Sequence, residues 1–298
     1  MLHNFTGKLD TFARRIKGAL GIRTEYPYKD FKILLPSDHQ LPTYQHMYRL
    51  YDRFLPFLAK HISPGSSVVD VGANCGDTLA AMVCANSSLR YICIEADRSF
   101  FLLLEENKNR IKEAHHGATI ILHRALVGKD VGNVALEGSG GTKRAIAVPQ
   151  GFTDDPSLRP LTLDSLLADG SAENVRLLKS DVDGYDFDVL DSAAEVIGAH
   201  SPLLFFECDF RDDRQKDGYI RTILWLQSKG YVWWTIFDNF GAIVMHTSCM
   251  DTVMQLLSYV WKQTLGRATR TIYYLDVLAS TPRDADLVSL VLDEYGRL

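Results

Sequence analysis

Ser67-Val68-Val69-Asp70-Val71-Gly72-Ala73-Asn74-Cys75-Gly76-Asp77 is the stretch on which the fold turns. Residues 67–71 form a short apolar run closed by a glycine turn, the pattern of a buried strand. Residues 77–85 continue as a helix. A strand that leaves through such a turn into a helix opens a doubly wound α/β sheet. Ligands of these sheets sit outside the carboxyl ends of the strands, where this turn lies.

The alternation continues outward. Residues 90–95, 119–122, 176–182 and 203–207 read as strands, and residues 100–112 and 186–196 as helices. Apolar strands alternating with helices predict a mostly parallel sheet covered on both faces. In the last third, residues 231–237 predict a strong strand, 238–241 a turn and 242–245 a returning hairpin strand. A helix over 250–265 and a final strand over 271–275 complete the pattern. Upstream, residues 26–62 carry a helical run and predict a helical cap, ended by Ser63-Pro64-Gly65. The expected division is residues 1–64 as N-terminal helix and cap, and 65–298 as the main α/β domain. Residues 138–160 hold Gly and Pro but few apolar groups, and predict a long loop that is either a lid over the site or a passive insertion.

Composition narrows the classes. The 298 residues are 46% hydrophobic and 23% charged, an ordinary globular balance. A formal net charge of -5 argues against a nucleic-acid partner, because phosphates need a basic face. The five cysteines are odd in number and include no Cys-x-x-Cys pair, which argues against a disulfide framework or zinc knuckle. With neither a secretory nor a spanning segment, a cytoplasmic location is expected. Phe5, Leu9, Phe12, Ile16 and Leu20 recur at helical spacing among basic residues. The adopted reading is a helix over 1–23 docked on its own domain or on a second subunit of a homo-oligomer. Peripheral contact with an anionic membrane surface is the alternative.

The turn discriminates between cofactors. Glu95 ends the second strand, 19 residues after Gly76, where a carboxylate can accept hydrogen bonds from both hydroxyls of a ribose. A dinucleotide would suit that much. The pattern, however, is Asp-x-Gly-x-Asn-x-Gly rather than G-x-G-x-x-G, and Asp77 follows it. Acidic groups repel a pyrophosphate. They suit S-adenosylmethionine, which carries a sulfonium, an ammonium and no phosphate. Gly72 and Gly76 are read as letting the backbone approach that ligand.

Residues 69–78, Ile94-Glu95-Ala96, Thr162-Leu163-Asp164-Ser165-Leu166, residues 178–186 and residues 202–207 together resemble the FkbM family of methyltransferases. The resemblance runs in order over roughly residues 68–278. It implies a class I methyltransferase fold, Rossmann-like, with a seven-stranded, mostly parallel sheet whose last strand is antiparallel. It also implies O-methylation, often of sugar hydroxyls or natural-product alcohols. Where the family usually has Glu-Gly after the fourth strand, this chain has Asp183-Gly184. It has Asp186 where a Glu is usual, and Ala96 where a Pro is usual, so charge is kept while reach shortens by one methylene.

On this reading Asp70, Gly72, Asn74, Gly76, Asp77, Thr78, Glu95, Ala96 and Asp181 bind the cofactor. Asp183, Asp181 and Glu207 are the catalytic candidates: Asp183 as base or acceptor-positioning group, Asp181 at the methionine end, Glu207 towards the acceptor. Asp183, Asp186 and Asp188 also suit a helix start, and the last two are read as structural. Asp181 and Asp183 with Glu207 or Asp209 could instead hold a divalent metal, which is not the reading adopted. His39 and His246 rank low as bases. The expected function is methylation of a hydroxyl on a sugar, glycan or glycolipid precursor. Methylation of a small natural product, and an inactive cofactor-binding scaffold, are the alternatives.

Overall fold

The computed structural model describes residues 22–298 other than 130–133, 139–140, 149–154, 156–157, 169, 171 and 267–269. The helix expected over residues 1–23 lies outside the described residues, except that Arg23 already begins a strand.

The quoted stretch folds as read. Strand β3 (Ser67–Val71) is buried along its whole length, and the turn leads into helix α3 (Asp77–Ala85). Side chains of β3 alternate between two cores: Val68 faces one, Val69 and Val71 the other. The same alternation holds in β4 (Arg90–Ile94), where Tyr91 and Cys93 oppose Ile92 and Ile94. Both faces of the sheet are therefore apolar, as parallel strands under helices require. Beyond β4 come helix α4 (Arg98–Ala114) and strand β5 (Thr119–His123), then β8 (Val175–Ser180) and β9 (Leu203–Cys208). These five strands are mutually parallel.

The sheet order is β11-β10-β12-β9-β8-β3-β4-β5. Strand β12 (Leu275–Ser280), the last in the chain, inserts antiparallel between β9 and β10 (Trp233–Asp238). That is the class I methyltransferase arrangement. The sheet has eight strands rather than seven, because β11 (Ile243–Thr247) extends the edge as the returning arm of the expected hairpin. The final strand starts four residues later than the expected 271. Residues 271–274 have strand-like composition, but Tyr273 and Tyr274 line a cavity instead. Pairing on both sides begins only at Leu275.

The expected cap holds two short helices, α1 (Leu41–Met47) and α2 (Phe54–His61), preceded by a hairpin of β1 (Arg23–Pro27) and β2 (Lys32–Pro36). Ile33, Leu34, Leu35 and Leu58 share one core with Leu79 of α3 and Leu104 of α4. Asn107 fastens this packing. Its side chain bonds both Leu34 N and Leu34 O and also donates to Cys75 O, tying β2 to the turn after β3. Among the described residues no helix is long and apolar enough to cross a membrane.

Candidate functional site

At the carboxyl ends of the parallel strands lies a cavity of about 610 Å³. That is within the range of sites for drug-sized ligands. Gly72, Asn74, Asp77, Thr78, Glu95, Ala96, Asp181, Asp183 and Glu207 all line it. Nine of the expected site residues are thus gathered from four separate stretches of the chain. Asp70 and Gly76 do not reach it.

The turn after β3 is held by backbone bonds. Gly72 N and Ala73 N both donate to Ile94 O. Asn74 has φ +50°, a left-handed conformation that Asn tolerates better than most residues. Its N–H donates to Glu95 Oε2 at 2.8 Å, while Asp97 N donates to Glu95 Oε1 at 2.7 Å. Both carboxylate oxygens are therefore fixed in direction, and each keeps accepting capacity for a ligand. Glu95 is 8% exposed, and burial pushes its carboxyl up to about 7 against those two amides.

The glycines serve a different purpose from the one read in the sequence. A Cβ on Gly72 would stand 2.0 Å from the Asp181 carbonyl oxygen, and one on Gly76 would stand 2.7 Å from Leu104 Cδ1. The chain itself occupies the space a ligand was expected to use. At φ +77° and +84° both positions also favour glycine.

Asp70 is fully buried in β3 and faces Lys179, its register partner in β8, across 2.9 Å. Lys179 Nζ also donates to Gly72 O at 3.2 Å and lies 3.5 Å from Asp181 Oδ2. Burial opposes its charge, but Asp70 and Asp181 outweigh it and hold the ammonium protonated. Burial pushes the Asp70 carboxyl up, with Lys179 opposing. Asp70 thus acts on the site through Lys179, whose role the sequence reading missed.

Strand β8 ends at Ser180, so Asp181 as well as Asp183 lies beyond it, where the expected strand ran to 182. Asp181 is the exposed one, with 54% of its side chain accessible. Asp183 has φ +54°, a conformation that costs a non-glycine residue free energy and persists where the surroundings impose it. Burial, then the charge on Asp181, pushes its carboxyl up to about 6. Asp186 opens helix α5 (Asp186–Asp191), accepts from Ser180 Oγ and Tyr219 Oη, and is buried. Asp188 accepts from Lys129 N. Both have structural partners, as expected.

The far wall comes from β9 and β12. Glu207 is 8% exposed, and its Oε2 has no hydrogen-bond partner among the described residues. Asp209 is bound through Arg211 Nε and Nη2. Asp276 of β12 is the register partner of Glu207. No three ligand atoms of Asp181, Asp183, Glu207 and Asp209 lie within 4.8 Å of one another among the described residues.

A small hairpin, β6 (Val134–Glu137) with β7 (Arg144–Ala147), lies over the turn. Asn74 Nδ2 donates to Gly141 O at 2.7 Å. Lys143 pairs with Asp97 at 2.7 Å and stands 5.2 Å from the Phe100 ring centroid. Residues 141–145 line the cavity, so part of the expected loop is a cavity wall. Of the histidines, His39 also lines it. His246 sits on β11, bonded to Thr235 Oγ1 and stacked on Trp233 at 5.2 Å.

A family model described as the methyltransferase FkbM domain matches residues 70–233. No curated protein matches the sequence. Among solved structures, methyltransferase FkbM from Methylobacillus flagellatus KT is similar at 19% identity over 56% of this chain and 40% of that chain, with a TM-score of 0.39. The match therefore spans less than half of that protein's length. The plantazolicin methyltransferase BpumL in complex with SAH aligns at 9% identity over 80% and 88% of the two chains, with a TM-score of 0.39. Cofactor-bound Rv0187 from MTB aligns at 11% over 77% and 79%, with a TM-score of 0.43.

Proposed function

Because the chain belongs to the methyltransferase FkbM family, we propose that it methylates a hydroxyl of a sugar, glycan or glycolipid precursor, with S-adenosylmethionine as donor. One observation carries the cofactor half of this reading. The Glu95 carboxylate is fixed at both oxygens by backbone amides and lines the cavity beside the exit of β3. A ribose diol matches such an acceptor pair, while the acid-rich wall disfavours phosphates.

Bound there, S-adenosylmethionine supplies a methyl group made electrophilic by its sulfonium. Asp77 and Asp181 offer negative charge to the cationic amino-acid end. Lys179, neutralised by Asp70, holds the Gly72 carbonyl and so the shape of the turn. Asp183 would take up the hydroxyl proton as the acceptor oxygen gains the methyl group, whose bond to sulfur breaks and leaves a neutral thioether. Alignment of donor and acceptor in a dry cavity is worth up to about 7–11 kcal/mol in such reactions. The wall formed by Tyr51, Tyr273, Tyr274 and Phe205 serves to exclude water.

The test is transfer of a labelled methyl group from S-adenosylmethionine into polar extracts, with the product identified by mass spectrometry. A labelled methyl ether is expected. Label found only in N-methyl or C-methyl products would overturn the hydroxyl reading.

A further inference from the structure

Glu207 and Asp276 stand opposite one another on antiparallel neighbours β9 and β12. Directly opposed residues share a sheet face, with Cβ atoms about 4.5–5.5 Å apart, and like charges so placed repel. Both side chains line the cavity. The Glu207 Oε2 atom is buried and has no hydrogen-bond partner among the described residues. Such atoms are rare in folded proteins and call for a physical explanation.

Among the described residues no salt bridge reaches either carboxyl. Arg211 is engaged by Asp209, and Lys179 by Asp70. The remaining neighbours worsen the repulsion. Burial, then the charge on Asp181, pushes up the carboxyls of both Glu207 and Asp276; Asp52 adds to the second, where Lys179 opposes. S-adenosylmethionine carries its own ammonium, for which Asp77 and Asp181 in the same lining are the proposed partners.

A metal ion is the poorer match. Among the described residues, the group of three ligand atoms within 4.8 Å is His39, Cys75 and Asp77, at the cofactor turn. Two opposed carboxyls without a third ligand suit a group that brings one charge and several N–H donors. Tyr51 and Tyr274 line the same cavity with aromatic rings. A cation gains from such faces when water is excluded.

We propose that Glu207 and Asp276 form a subsite for a protonated amine on the acceptor, so that the acceptor is an amino alcohol, such as an amino sugar, rather than a neutral polyol. The inference rests on the reading of the site as a hydroxyl methyltransferase. With the cavity unliganded, a proton relieves the opposed carboxyls. A bound ammonium takes over that role, favours their ionised form and satisfies Oε2. Its placement also orients the neighbouring hydroxyl towards Asp183.

The experiment is calorimetric titration of the full chain, saturated with S-adenosylhomocysteine, at neutral pH. The probes are methyl 2-amino-2-deoxyglucoside and its N-acetyl counterpart, which differ in charge at one nitrogen. At least tenfold tighter binding of the free amine is expected, with the preference lost in Glu207→Gln and in Asp276→Asn. Titration of each variant with S-adenosylhomocysteine reports whether its cofactor pocket has survived. Equal affinity, preference for the N-acetyl form, or binding of neither probe by the unaltered chain overturns the proposal. Failure of S-adenosylhomocysteine itself to bind instead overturns the reading on which it rests.

Discussion

Lys179→Met destabilises the fold by about 3–5 kcal/mol, the usual consequence of removing one partner from a buried ion pair. Lys179 is 3% exposed and Asp70 is fully buried. Without the ammonium, Asp70 is left inside the sheet with no opposite charge. It responds by taking up a proton, which burial already favours, so the lower end of that range is expected at acid pH. The Gly72 carbonyl also loses its donor. The double variant Asp70→Asn/Lys179→Met recovers most of the loss, because a neutral pair leaves no charge stranded. Urea denaturation checks this through the midpoint at constant slope. A single variant within 1 kcal/mol of the parent would show that the ion pair does not hold β3 to β8.

Asp183→Asn slows methyl transfer by about 10²–10⁴-fold, the typical contribution of a positioned general base. Asn keeps the size and tolerates the left-handed backbone at this position, so geometry changes little. What it loses is the ability to accept a proton. The pH profile separates this from a merely structural effect. The base works when ionised, and its carboxyl is pushed up to about 6. For the parent, kcat/KM therefore falls as pH drops through about 6 and levels off above it. In the variant that acid limb disappears. A variant with normal turnover, or with the same limb, would move the base elsewhere.

Legibility in the sequence followed the physics of each element. Strand β3 and helix α3 were read with their observed boundaries, because an apolar run ended by a left-handed glycine and followed by an acidic first turn admits few alternatives. Trp233 and Trp234, adjacent in a strand, face opposite sides as strand geometry requires: Trp234 is fully buried, while Trp233 stacks on His246. The start of β12 was misread because Ile272, Tyr273 and Tyr274 have strand propensity but spend it on a cavity wall. Pairing, which no local window contains, sets the observed start.

The same limit applied to the site. Residues adjacent to a strand exit, such as Glu95, Asp181 and Asp183, were found because their position alone implies a ligand. Asp70 was overvalued, since its place in the motif suggested a cofactor contact while its register partner lies in another strand. Lys179 carried a signal that went unused: a lone ammonium in an apolar strand demands a buried carboxylate. Asp276 was missed, because only the antiparallel insertion of β12 brings it opposite Glu207.

The central claim is that the β3 exit and Glu95 hold the nucleoside of S-adenosylmethionine. Calorimetric titration of the full chain with S-adenosylmethionine and, separately, NADH tests it most directly. The account predicts saturable binding of the sulfonium nucleoside, weakened about 10–100-fold in Glu95→Gln through loss of a charged hydrogen bond worth about 1.5–3 kcal/mol, and no measurable binding of NADH. Tighter binding of NADH, or Glu95→Gln binding as tightly as the parent, would contradict it.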